Sequence, residues 1–106
     1  MKTPVAVGIA ILAGVSVGAL AAETTISQKN RAFMPAEISV KKGDTLVFVN
    51  DDDIMHNVVS NSAGYEFNLG SQSPGMATPV NFNKPGQLSV LCAIHPRMRL
   101  VVKVAE

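Results

Sequence analysis

The stretch VLCAIHPRM, residues 90–98, holds the only cysteine of the 106-residue chain, with His95 and Met98 following Cys92 at steps of three. Its flanks are patterned in twos. Leu88, Val90 and Cys92 share one parity, and Leu100, Val102 and Val104 share one parity in the segment after it. Alternate side chains of a strand point to one face, so the pattern is that of a strand, a tight loop and a returning strand. Cys92 ends the first of these and Leu100 begins the second. A loop this short turns the side chains of Cys92, His95 and Met98 toward one side.

The same period runs through the chain upstream. Ile38 and Val40 alternate with Ser39 and Lys41, and Val80 and Phe82 alternate with Asn81 and Asn83. Leu46-Val47-Phe48-Val49 is a short apolar run suited to a buried strand. Lys42-Gly43-Asp44 and Lys84-Pro85-Gly86 are turn signals between such runs. Residues 63–79, AGYEFNLGSQSPGMATP, are the least regular and read as a strand fragment followed by a long loop. Nothing after residue 23 carries sustained helical periodicity. Short alternating strands with regular Gly/Pro punctuation predict an all-β sandwich.

The N-terminus bears on where such a domain works. Lys2 precedes an apolar run, Val5 to Ala22, whose only polar side chain is Ser16, and Ala19-Leu20-Ala21 is a small-x-small exit. A basic start, an apolar stretch and a small-residue cleavage pattern read as a secretory signal peptide. The alternative is an uncleaved anchor, since the run approaches spanning length. The expected organisation is a signal peptide over 1–22 and one domain over 23–106, exported to the periplasm with no stable membrane insertion after cleavage. The nine Lys+Arg and eight Asp+Glu come into balance once Lys2 is removed. No basic stripe suggests nucleic acid as a partner. Asp51-Asp52-Asp53 is the one like-charge cluster and reads as a solvated turn.

A domain this small often needs a staple, either a disulfide or a metal. One cysteine forbids an internal disulfide, and a lone thiol in an exported protein is a liability unless buried, paired or metal-bound. Taken singly, a Cys at a strand end is a small buried hydrophobe, a Met after a turn is packing, and a His is surface. Taken together they are scarce residues at tight spacing: His56 and His95 are the only two histidines. Two imidazoles, a thiolate and a thioether match the trigonal His2Cys site with a weak axial Met that holds copper for electron transfer. Zinc favours a fourth hard or thiolate ligand, and iron–sulfur clusters need more cysteines.

The loop CAIHPRM resembles the copper-binding loop of the cupredoxins, and its length is nearest that of the amicyanin branch. Upstream, PAEISVKKGDTLVFVNDDDIMHNVV is similar to the cupredoxin segment that leads to the first histidine ligand, sharing Pro35, Ile38, Val40, Gly43, Asp44, Asn50 and His56-Asn57-Val58. The resemblance implies a Greek-key β-sandwich of about eight strands. It implies one type 1 copper, with His56, Cys92 and His95 as equatorial ligands and Met98 as axial ligand. It also implies that Asn57 ties the His56 segment to the Cys92 loop. There are departures. Val90 stands where many cupredoxins carry an aromatic residue. Ile94 stands where amicyanin, plastocyanin and pseudoazurin carry proline. Ile94 keeps a backbone N–H that proline lacks, and the expectation is that it donates to the Cys92 sulfur.

The expected function is one-electron, outer-sphere transfer between a redox protein donor and a redox protein acceptor. Both dock transiently near His95, which should lie nearest the surface, with Pro96, Pro74 and Met76 as an apolar ring. The chain is expected to act as a monomer. A periplasmic copper carrier or scavenger with the same ligands is the alternative. An enzyme needs a second copper site, and no histidine remains for one. Protein recovered from the periplasm is expected to lack residues 1–22, or one fewer, by intact mass; a full-length chain held in the membrane fraction would make the apolar run an anchor.

Overall fold

The computed structural model describes residues 21–106, so most of the expected signal segment, residues 1–20, lies outside the described residues. The described residues form nine strands and no helix: β1 (Glu23–Lys29), β2 (Ala32–Met34), β3 (Glu37–Lys41), β4 (Asp44–Asn50), β5 (His56–Ser60), β6 (Phe67–Gln72), β7 (Ala77–Phe82), β8 (Gly86–Leu91) and β9 (Arg99–Ala105). They make a Greek-key sandwich of two sheets, with strand order β3-β9-β8-β5-β6 in one and β2-β1-β4-β7 in the other. β3–β9 and β1–β4 are parallel pairs; the remaining pairs are antiparallel.

The inward faces follow the parity of the sequence. Leu88 and Val90 of β8, with Leu100, Val102 and Val104 of β9, are buried against Ile26, Leu46, Phe48 and Phe82 of the facing sheet. Phe33 and Phe48 meet edge to face, ring centroids 6.3 Å apart. Val47 and Val49 are only half-buried, so the apolar run of β4 presents a core face and a partly covered outer face.

The nine strands agree with the expected sandwich of about eight. One expectation changes. The stretch read as a strand fragment and long loop is β6, a four-residue turn and the start of β7. That turn closes by Met76 N–H donating to Ser73 O at 3.0 Å. Pro74 and Gly75 occupy its centre, Gly75 at φ 89°, the pairing that a type II turn requires. It carries the chain from one sheet to the other. The alternation of β6 is hidden by a bulge: register with β5 shifts between Asn57/Ser71 and Val59/Asn68, with Gly70 at φ 77°. The extra residue flips the parity, so that Gln72 is fully buried after half-buried Phe67 and Leu69. Bulges of this kind are frequent beside functional sites, and this one faces the first turn of β5.

β5 and β8 are neighbours running in opposite directions, with Val59 opposite Leu91. The start of β5 and the end of β8 therefore meet at one end of the sandwich, which brings His56 and Cys92 together. Phe48→Ala should leave a cavity at the centre of β4 and destabilise the fold by about 3–5 kcal/mol, read as a drop in the urea midpoint of the metal-free protein.

Candidate metal centre

Two successive turns set the spacing of the loop. His95 N–H donates to Cys92 O at 3.2 Å, and Met98 N–H donates to His95 O at 2.9 Å. Each closes a four-residue turn, so Cys92, His95 and Met98 occupy the shared corners at steps of three. Pro96 is the second residue of the second turn, where its fixed φ is favoured. Cys92 lies one residue past β8, and Arg99, not Leu100, opens β9.

Cys92 and His56 are fully buried, Met98 is 1% exposed, and His95 is partly exposed, the least covered of the four. His56 Nδ1 and His95 Nδ1 stand 3.2 Å apart, and Cys92 Sγ lies 3.8 Å from the first and 3.7 Å from the second. A point equidistant from the three atoms is about 2.1 Å from each, within the range of metal–nitrogen and metal–sulfur bonds. The two imidazoles cross at 72°, with their Nδ1 lone pairs aimed at the same space. Nitrogen and sulfur donors at this separation fit a thiophilic transition metal. Met98 shares the loop and the burial.

The surrounding hydrogen bonds fix each donor. Asn57 N–H donates to Cys92 Sγ at 3.4 Å, and Ala93 N–H donates to Asn57 Oδ1 at 2.7 Å. The expected tie between the His56 segment and the Cys92 loop is thus present, made by both backbone and side chain of Asn57. The bond expected from Ile94 is not formed; among the described residues the donor to Cys92 Sγ is Asn57. The Ile94 side chain is 52% exposed and belongs to the outer surface of the loop.

The aspartate cluster is also not merely a solvated turn. Asp52 Oδ2 lies 2.9 Å from His56 Nε2 and accepts a second bond, at 3.0 Å, from Arg31 N–H. The Arg31 N–H, and after it the His56 ring, hold the Asp52 carboxyl far below the usual carboxylate range. A carboxylate on Nε2 fixes the tautomer that leaves Nδ1 free to ligate and makes it a stronger donor. Asp52 is placed in turn by Asn50, which accepts from Asp52 N–H at 2.9 Å and donates to Ile54 O and Gln72 O. Sequence reasoning missed Asp52. Its signal was a carboxylate four residues before a candidate ligand histidine, in a turn that starts at an asparagine.

Residues 20–105 match the family of copper binding proteins of the plastocyanin/azurin type. The chain belongs to that family. The methylamine utilization protein MauL of Methylophilus methylotrophus is 36% identical over 81 residues, 70% of this chain and 45% of that protein; the chain spans less than half of that relative's length. Among solved structures, a purple cupredoxin from Nitrosopumilus maritimus superposes with a TM-score of 0.70 at 21% identity, covering 77% of this chain and 99% of that one. A reduced amicyanin variant gives 0.71 at 24%, covering 86% of each chain. These two carry the fold. A copper-containing nitrite reductase from Thermus scotoductus gives 0.74 at 27%, covering 98% of this chain but 25% of the enzyme.

Asp52→Ala should lower the copper affinity of this cupredoxin by about 10–100-fold, because the His56 ring loses the acceptor that orients it. A competition titration against a chelator measures this, with circular dichroism confirming the fold; an unchanged affinity would mean that packing alone orients His56.

Proposed function

We propose that this protein is a periplasmic type 1 copper protein that carries single electrons between redox partners by outer-sphere transfer. His56 Nδ1, Cys92 Sγ, His95 Nδ1 and Met98 would hold its copper, one per chain. The observation that carries this reading is the triangle of two imidazole nitrogens and one sulfur, sized for a metal and sealed from water on all sides but that of His95. Membership of a copper-binding family supports it.

Copper held there would supply one-electron chemistry between Cu(I) and Cu(II). The chain's residues would serve that chemistry by staying still. Cys92 and His95 are held by consecutive turns, His56 by Asp52, and the Cys92 sulfur by Asn57 N–H. Burial of Cys92, His56 and Met98 excludes water from the ligands. The partly exposed edge of His95 is the port through which donor and acceptor proteins exchange the electron, each docking transiently on a monomer. Residues 1–22 act as the export signal. The use of both histidines at one site supports a carrier rather than an enzyme.

Adding Cu(II) to the purified mature protein should give an intense blue colour, and Cys92→Ala should abolish it; a colourless wild-type complex would overturn the assignment. A weak thioether tunes such a site without creating it. Met98→Gln should therefore lower the reduction potential by voltammetry while copper stays bound. An unchanged potential would move the axial role to another residue. Rapid loss of copper from the wild type to a competing chelator would favour a copper carrier over an electron carrier.

A further inference from the structure

Beside His95 the surface opens into a depression of about 350 Å³ lined by Arg31, Ile94, His95, Pro96 and Arg97. Its wall is apolar at Ile94 and Pro96, and it is flanked by two guanidinium groups. Among the described residues neither Arg31 nor Arg97 has a carboxylate within ion-pair distance. In the adjacent acidic turn, Asp51 accepts from Ser27 Oγ at 2.6 Å, and Asp52 serves His56 and the Arg31 backbone.

Arg31 is also placed against its own backbone preference. Lys29 pairs with Ala32, so Asn30 and Arg31 form a two-residue hairpin loop. Both have positive φ, 54° and 55°. Such a loop favours Asn followed by Gly, because a side chain crowds the left-handed backbone. Here the second position carries the longest cationic side chain instead. The hydrogen bond from Arg31 N–H to Asp52 holds this conformation and so keeps residue 31 at the rim of the depression. A local rule broken at one surface position, beside the electron port, is the mark of a functional demand.

From these observations we infer that the depression is the docking site of an acidic redox partner protein. A surface carboxylate of the partner sits between Arg31 and Arg97, and its aliphatic stem lies on Ile94 and Pro96. This deepens the electron-carrier reading and rests on it. The step it serves is the passage of one electron from Cu(I) through the His95 edge to an oxidised one-electron acceptor, such as a ferric haem that becomes ferrous; no bond is made or broken and no proton moves. Guanidinium groups at the rim steer the encounter electrostatically, and an exchange partner must leave quickly, which suits a small rim of charge around an apolar centre.

Two measurements test this. First, hexacyanocobaltate(III), a redox-inert trianion, is titrated into the metal-free protein and followed by amide chemical shifts. The shifts should centre on Arg31, Ile94 and Arg97. Arg31→Gly should weaken this binding several-fold, while its unfolding midpoint stays equal or rises, since glycine relieves the positive φ. Second, oxidation of the Cu(I) protein by an acidic c-type cytochrome is compared with oxidation by a basic one. The acidic partner should react faster, slow as ionic strength rises, and slow on the order of ten-fold at low salt in Arg31→Gly/Arg97→Gln, with the visible spectrum unchanged. Shifts centred on other lysines and arginines, or a preference for the basic cytochrome, would overturn the docking site. A wild-type protein that is never blue would instead overturn the electron-carrier reading and leave the anion titration standing.

Discussion

The structure turns on Asn57. Its backbone N–H donates to the Cys92 sulfur and its side-chain oxygen receives Ala93 N–H. One residue thus clamps the first strand of the site to the loop that carries the other three donors. Without that clamp the placing of the Cys92–Met98 loop against His56 would rest on the β5–β8 pairing at Val59 and Leu91. A donor on the sulfur also withdraws electron density from a thiolate, which is a lever on the potential of a copper site. Position and electronics are set by the same residue.

Behind the clamp lies a polar layer that a purely apolar sandwich would not need. Gln28, Asn50 and Gln72 are fully buried. Gln28 donates to Gln72 Oε1, and Gln72 donates to Phe48 O and Thr78 Oγ1, while Asn50 donates to Gln72 O and Ile54 O. Buried amides cost stability unless bonded. What this network gains is direction: it joins both sheets at the site end and fixes the turn from Asp51 to Ile54, so that Asp52 meets His56. The bulge at Gly70 belongs to the same arrangement, since it brings Gln72 inward.

Much of this was legible in the sequence, and the reasons for the rest are physical. The strand faces could be read because Leu88, Val90, Leu100, Val102 and Val104 keep strict parity, and parity is a local property. The candidate donors Cys92, His56 and His95 could be picked out because the chain has one cysteine and two histidines and two of these three sit three apart. The β6–β7 segment could not, because Gly70 breaks the period and β6 puts Asn68 and Ser71 outward. Asp52 was missed because its local spacing to Asn50 and His56 gains meaning only once Arg31 of the β1–β2 turn, distant in sequence, is seen to hold the same carboxylate. Arg31 carried a signal that only the turn geometry makes visible.

Ile94 draws these threads together. Its backbone was expected to serve the copper ligand, in place of a proline that has no N–H. Asn57 already fills that role, so the identity of residue 94 is released from the sulfur. What remains is its side chain, 52% exposed and forming one wall of the depression beside His95. A large exposed aliphatic residue is usually unremarked on a surface. Here it adjoins a partly exposed imidazole edge, a proline and two arginines that have no carboxylate partner among the described residues. The loop therefore has two faces with separate constraints: an inner face of donors fixed by hydrogen bonds, and an outer face free to vary with whatever the protein must touch. The departure at residue 94 lies on the outer face, apart from the Asn57 hydrogen bonds that hold the Cys92 loop.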